Sequence, residues 1–545
     1  MEPQFPGGRG PSHPMSESLR IHIVTDGPGP RQWQLEWLRR IEAEAGLEIA
    51  EVTCAVASHR PRPWLFVLYR VFDEILHSDR GALFRVAPPV SRPSTAPASA
   101  PDLMLDLTSP ATTDRAGTPA RFGTWSIVWS EVSSDDEPAG LREMLAGSAT
   151  TTSMLVATAS GTSAAIDRTV TATHRYSLLK GRAVAVAAMG SIVMKQLRRL
   201  RDRRMAPPLV TANGTRSPAP EPRRLGNAQL VRPLARFAAA LVQRLIERIF
   251  WDEFHWSIAL ARRIPGASPE SQLREADFRR MEPPRDRFYA DPFLVEHRDQ
   301  PILFLEEYSY RTGRGSIAFS RLDHEGRPDA PRPALERPYH LSWPFVFEHD
   351  GVLFMIPETY GNRTVELYRC RSYPEEWTLE SVLVDGMSVA DPTLFHHGGR
   401  WWLFFCFAPP GMSPDTELHV HHAPSLLGPW TPHELNPVVS NVRSARPAGR
   451  IWREGDQIVR PAQDCSVRYG HGITFNRITR LTPDDYAEES IGHVVPDRLP
   501  WCRGAIGMHT WNASSRLCAT DVCVSRFRGS RWLMPRSSSR PGAGP

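Results

Sequence analysis

Seven side chains able to move protons or grip polar ligands stand at matching points of a recurring pattern in the second half of this 545-residue chain. Asp291 and Asp391 each precede a proline, in Ala290-Asp291-Pro292-Phe293 and Ala390-Asp391-Pro392-Thr393, and Glu358 closes Ile356-Pro357-Glu358 in the copy between them. His340, Ser342, Arg446 and His509 occupy the heads of the other copies. Two or three carboxyl groups facing each other across a cavity are what glycoside cleavage requires, one as acid and another as base or nucleophile, with their separation setting the stereochemical outcome. The environment must also drive their pKa values apart. Asp291, Glu358 and Asp391 are therefore the candidate catalytic residues. His340, Ser342, Arg446 and His509 form the candidate binding set, joined by Glu306 and Glu307 at a strand end and by Arg460, Gln463 and Asp464, whose mix of donor, acceptor and charge suits sugar hydroxyls. Each residue also has a structural reading. An Asp-Pro pair can cap a turn, and a carboxylate at the end of a buried strand needs a partner, which Arg446 or Arg460 could supply to Glu358.

The elements that would gather these groups are hairpins. Each copy is a short apolar strand, a polar or glycine turn, and a second strand rich in aromatic and branched residues, as in Ser342–Glu348 followed by Val352–Glu358. A lone hairpin is marginal in water, so several must share a core. A period of roughly 50 residues with four strands per unit predicts blades set around an axis. Gly504–Asn512 would supply the inner strand of a fifth blade, and Phe254–Leu260 has the composition to close the ring. The alternative is an open sandwich of hairpins.

The first half reads differently. Ile21–Thr25 is a strand ending in a glycine turn, an amphipathic helix carries Trp33, Trp37, Leu38 and Ile41, and Leu47–Val56 is a second strand, the βαβ sign of a parallel sheet. Gly27-Pro28-Gly29-Pro30 is no dinucleotide fingerprint, because prolines replace the N–H groups that would face a pyrophosphate. Asp102–Thr108, Phe122–Trp129 and Thr151–Ala157 add strands, Leu141–Leu145 a short helix, and Tyr176–Leu200 a helix ending in the basic run Arg198–Arg204. That run reads as a solvated helix end, with a membrane-surface contact as the alternative. Residues 206–226 form a proline-rich linker, and Leu230–Phe250 is a helix with Arg236, Arg244 and Arg248 on its polar side, expected to dock on the propeller. Residues 1–18 and 528–545 have the composition of disordered tails.

Two resemblances follow. In layout, residues 19–200 resemble the N-terminal half of the formyltransferase family, which implies a Rossmann-like α/β fold. That family uses an Asn-x-His pair at the end of a central strand, where this chain has Trp125-Ser126-Ile127-Val128-Trp129, so the resemblance implies a domain that has lost formyl transfer. The stretch 253–527 resembles the five-bladed glycosidases of the arabinanase and invertase type at Ala290-Asp291-Pro292. It more closely resembles the N-terminal domain of plant glucosamine inositolphosphorylceramide transferase and its bacterial relatives, through Tyr289–Phe293, His340–Glu348, Ile356–Thr359, Gly428-Pro429-Trp430, Arg446–Gly449, Arg460–Asp464 and Gly507–Thr510. The second resemblance implies a five-bladed β-propeller and a link to glycoconjugates. In the plant proteins the glycosyltransferase module is a separate domain, so the activity does not follow from the name. The expected architecture is thus a formyltransferase-like α/β domain followed by an all-β five-bladed propeller holding a glycan or glycoconjugate. A non-catalytic scaffold is the alternative, and a formyl or acyl transferase a second one.

Composition bounds the rest. A net charge of +5 is small for this length and gives no warrant for nucleic acid. Lys180 and Lys195 are the only lysines, an arginine bias expected of a GC-rich genome. The seven cysteines form no C-x-x-C pair, the start shows no leader pattern, and no apolar run reaches the length of a membrane span, which together predict a reducing cytoplasmic setting. His419, His421, His422 and His433 lack a third ligand at metal-binding spacing and read as part of a solvated strand, so neither metal nor cofactor is expected.

Overall fold

A computed structural model describes residues 18–527, except 27–28, 56–62, 88–99, 109–119, 131–139, 160–161, 204, 206–225, 298–299 and 409–411. The expected tails and nearly all of the expected linker lie outside the described residues.

The first unit is an α/β layer. Strand β1 (Leu19–Asp26) alternates buried Leu19, Ile21 and Ile23 with polar neighbours. Helix α1 (Gln32–Ala43) turns Trp33, Trp37, Leu38 and Ile41 inward and leads to β2 (Leu47–Ala55). Helix α2 (Trp64–Leu76) and the single turn α3 (Ser78–Gly81) precede β3 (Leu103–Asp106) and β4 (Thr124–Val128). After α4 (Leu141–Ala146) come β5 (Thr150–Ala159) and β6 (Thr162–Ala172), and then the long helix α5 (Leu178–Arg203), which packs on β5 and β6. The sheet runs β2-β1-β3-β4-β5-β6. Its first four strands are parallel, as the βαβ pattern predicts, and β5 and β6 add an antiparallel hairpin. The sequence reading did not include β6, whose Ala, Thr, Asp and Arg residues carry no apolar alternation.

Helix α6 (Asn227–Phe250) feeds directly into β7 (Trp251–Arg262). From there the chain builds five sheets of four or five strands each, in succession, which is the five-bladed β-propeller expected. The inner strands of the first three blades are Arg287–His297, Ser342–His349 and Ala390–His397, and the fourth blade begins at Trp452–Glu454. The fifth is composite. Ala505–Gly507 and Trp511–Ala513 lie innermost, Leu517–Phe527 pairs with them, and β7 from the other end of the unit pairs antiparallel with Leu517–Phe527. The ring therefore closes by joining its first and last strands, which leaves no open seam between blades one and five.

One local device recurs. Opposite Leu305, Pro357 and Phe405 the inner strands of blades one to three hold two residues where one would fit: Asp291-Pro292, Trp343-Pro344 and Asp391-Pro392. Proline has no N–H to lose from the ladder, so the bulge forms there. The residue before it adopts left-handed backbone, with φ of 50° at Asp291, 49° at Trp343 and 53° at Asp391. Such a conformation costs a non-glycine residue about 1 kcal/mol. Its effect is to turn that residue's N–H out of the sheet ladder.

The two units touch along β6. Val442 N–H donates to the Val170 carbonyl at 2.9 Å, Thr169 Oγ1 meets Ser440 Oγ at 2.7 Å, and Lys195 Nζ reaches Asp167 at 2.7 Å and the Pro437 carbonyl at 3.3 Å.

Candidate functional site

The inward N–H groups of the bulges are taken by carboxylates of the preceding blade. Asp291 N–H donates to Asp521 Oδ2 of blade five at 3.1 Å, Trp343 N–H to Asp291 Oδ2 at 3.1 Å, and Asp391 N–H to Glu358 Oε2 at 2.9 Å. Between blades three and four side chains take over. Arg446 Nε and Nη2 donate to Asp391 at 2.6 and 3.3 Å, and Gln463 Nε2 donates to the same carboxylate at 2.9 Å. Asp291, Glu358, Asp391, Arg446, Gln463 and His509 are thus gathered around one axis, all buried, as the radial arrangement predicts.

Two cations organise the cluster. His509 lies between two carboxylates, Nδ1 at 2.8 Å from Asp521 and Nε2 at 3.2 Å from Asp291, while Asp521 also accepts the backbone N–H groups of His509 and Thr510. Burial alone would strip this imidazole of its proton, but Asp521 and Asp291 outweigh it and lift its pKa to about 10. Burial pushes the Asp291 carboxyl upward, yet His509, the Trp343 N–H and the Thr510 hydroxyl win, and it is held below its usual range. Arg446 is the second cation. It also meets Asp415 at 2.9 Å, lies 4.0 Å from Glu358, and stacks over the Tyr469 ring at 4.8 Å. Burial raises Asp391 and Glu358, with Arg446 opposing in both cases.

Glu306 is a third kind of carboxyl. It is buried with His340 Nε2 at 3.5 Å, and burial followed by the nearby Asp291 charge drives it well above the carboxylate range. His340 Nδ1 accepts the Gly315 N–H at 2.8 Å, which assigns the ring proton to Nε2, facing Glu306. Gly315 is required here: a Cβ would stand 2.5 Å from both Glu306 Oε1 and the Leu341 carbonyl. Towards solvent the cluster is rimmed by His340, Asp415 and Tyr469, which retain partial exposure.

Several predicted residues lie elsewhere. Glu307, next to Glu306 and so on the opposite face of its strand, pairs with Arg287 at 2.8 Å. Arg460 does not reach the axis or Glu358. Its strand, Gln457–Asp464, alternates, so Gln463 points inward while Arg460 is held by Glu488 at 2.7 Å and Asp464 by His493 at 2.9 Å. Ser342 is buried opposite Glu358 in the ladder. The histidines of blade three are not a solvated strand: His421 and His433 are buried, and burial lowers the pKa of His421 to about 3, the behaviour of neutral rings packed in a core. Asp521, Asp415 and Tyr469 were missed. Asp521 had a signal, as a lone charge in the apolar strand Cys518–Val524; Asp415 and Tyr469 sit outside the repeat and had none. Asp291, His509 and Asp521 bring three potential metal ligands together, but the two short imidazole–carboxylate contacts already use the ring nitrogens for charge pairing.

In the α/β unit, the position expected of formyl transfer holds aromatic packing. Trp129 meets Trp33 and Trp37 with ring centroids 5.6 and 6.5 Å apart, and Trp125 is buried.

Residues 276–524 match the family described as glucosamine inositolphosphorylceramide transferase 1, N-terminal. The protein named glucosamine inositolphosphorylceramide transferase 1 from Oryza sativa subsp. indica is 36% identical over 229 residues, covering 41% of this chain and 30% of the relative. Its namesake from Arabidopsis thaliana is 34% identical over 229 residues, 41% of this chain and 29% of the relative. The chain thus spans under a third of the length of these curated relatives, which are plant proteins of the family the sequence resembles. Among solved structures, a family 117 glycoside hydrolase from the marine bacterium Zobellia galactanivorans aligns at TM-score 0.33 and 12% identity, over 50% of this chain and 92% of that one. A thermostable family-43 glycoside hydrolase aligns at TM-score 0.30 and 14% identity, over 37% and 75%. The propeller half of the chain is similar to the N-terminal region of that plant transferase family.

Proposed function

We propose that the propeller is a glycoconjugate-binding module associated with glycosyl transfer, holding a sugar at the axial rim of His340, Asp415 and Tyr469, with Glu306, Glu358 and Arg446 buried beneath it. The observation that carries this reading is the neutralisation of the central acids. Asp291 is consumed by His509, Thr510 and the Trp343 N–H, and Asp391 by Arg446 and Gln463. Carboxylates so engaged fasten blades together and leave little free capacity for chemistry. Glu306 and Glu358, whose pKa values burial raises, are the carboxyl groups left to hydrogen-bond sugar oxygens, and the Tyr469 ring can stack on a pyranose face. The relatives' name supports a glycoconjugate as the ligand class. Screening the full chain on a glycan array and against aryl glycosides tests this: saturable binding without turnover is expected, and silence in both assays would contradict it.

Glycoside cleavage or transfer is the second reading, favoured by one feature. The environment pushes two carboxyls apart, Asp291 down and Glu358 up, which is the pattern of a base or nucleophile with a general acid. Turnover of an aryl glycoside that disappears in Glu358→Gln would establish it. The α/β unit we regard as a formyltransferase-like domain without its chemistry; measurable heat on adding a formyl donor would overturn that view.

A further inference from the structure

Among the described residues, exposed large hydrophobic side chains concentrate on two adjoining helices. Of twenty-one exposed large hydrophobic residues among those described, seven lie on α2 and six on α6. On α2 they include Trp64, Leu68, Phe72 and Ile75, and Ile75 is 71% exposed; on α6 they include Val242, Leu245, Ile249 and Phe250. The two helices pack on each other, and the inner sides of both join one cluster of Phe66, Tyr69, Leu141, Leu178 and Leu230. Each helix thus turns some apolar residues to the protein and leaves others facing water. Scattered hydrophobics need no explanation, but two adjoining helices with this pattern mark a docking face.

We infer that α2 and α6 seat the protein on an anionic lipid surface, lying in the interface without crossing it. Charge selects this occupant. The sequence of α6 carries Arg232, Arg236, Arg244 and Arg248 against Glu247, a net +3, and α2 carries Arg70 against Asp73 and Glu74, a net −1, so the two helices together are net +2. A basic helix with an apolar, aromatic-containing side is what lies in a headgroup layer, whereas pairing with a second copy would bring two net-positive helices together. No helix among the described residues is long and apolar enough to cross a membrane, which fits an interfacial mode. The surface is also tied to the propeller, because α6 continues without a break into the ring-closing strand β7.

The test is co-sedimentation of the full chain with vesicles of phosphatidylcholine alone and of phosphatidylcholine with phosphatidylserine. Pelleting with the anionic vesicles is expected, weakening as salt is raised. The double substitutions Leu68→Glu with Ile75→Glu, and separately Leu245→Glu with Ile249→Glu, should each cut the bound fraction about tenfold or more without moving the thermal melt. Failure to pellet, or pelleting that neither pair of substitutions changes, overturns the proposal. So does a dimer in solution that the same substitutions dissociate, since the face would then be covered by a second copy.

Discussion

At the residue scale, His509 is the side chain on which the most depends. Replacing it by glutamine leaves Asp291 and Asp521 buried without their shared cation, so His509→Gln is expected to cost about 3–5 kcal/mol in chemical denaturation. The pH dependence separates this from simple packing loss. His509 has a pKa of about 10 in the folded protein against an ordinary 6.5. The folded state therefore holds a proton that the unfolded chain has released, and the resulting stability is complete below pH 6.5 and lost as pH rises towards 10. The wild type should weaken progressively over that interval, and His509→Gln should lack the slope. Gly315→Ala makes a second prediction. Its methyl group would press on Glu306 Oε1 and the Leu341 carbonyl, so a loss of about 1–3 kcal/mol is expected, with weakened ligand binding in calorimetry as His340 and Glu306 move apart. Asp291, Asp391 and Glu358 could be found from sequence because the repeat places them in register. Which of two neighbours faces inward could not be read for Glu306 and Glu307, because the bulge at Asp291-Pro292 shifts the pairing between those strands.

At the scale of elements, the bulged X-Pro step explains how a repeated dipeptide organises the whole axis. It was legible as a motif but not as a mechanism, since nothing in Asp-Pro announces that its N–H will reach back to the preceding blade. Ring closure was easier to foresee, since Phe254–Leu260 has strand character and lies just upstream of the first repeat. The boundary carries a prediction. The family match begins at residue 276, after β7 has ended. A fragment of residues 276–527 should fail to melt cooperatively, because Leu517–Phe527 loses its neighbour and blade five is left open, whereas residues 251–527 should give a single sharp transition by circular dichroism. Equal behaviour of the two fragments would show that β7 is dispensable. The strand β6 escaped the sequence reading for the opposite reason, its residues being held by β5 and α5 rather than by any intrinsic pattern.

At the scale of the molecule, the α/β unit and the propeller meet through β6, α5 and the loop from Pro437 to Val442. Lys195 lies at the centre of this contact, and Lys195→Ala removes both its ion pair with Asp167 and its bond to the Pro437 carbonyl. Faster hydrogen exchange at 167–170 and 437–442 is expected, corresponding to about 1–3 kcal/mol, with the inner strands of blades one to three unchanged. The basic run at the end of α5 belongs to the same architecture: Arg198 and Arg201 pair with Glu44, and Arg203 reaches Glu434 and Asp484. The Arg203 contacts join the two units, while those of Arg198 and Arg201 lie within the α/β unit. The claim on which the functional account depends is that side chains from separate blades form one sugar-binding rim. The most direct measurement is calorimetric titration of the full chain with the glycan an array selects, beside Tyr469→Ala and Glu358→Gln. The account predicts saturable binding to the wild type, weakened about tenfold or more by each substitution while the fold melts normally; binding that both substitutions leave intact would contradict it.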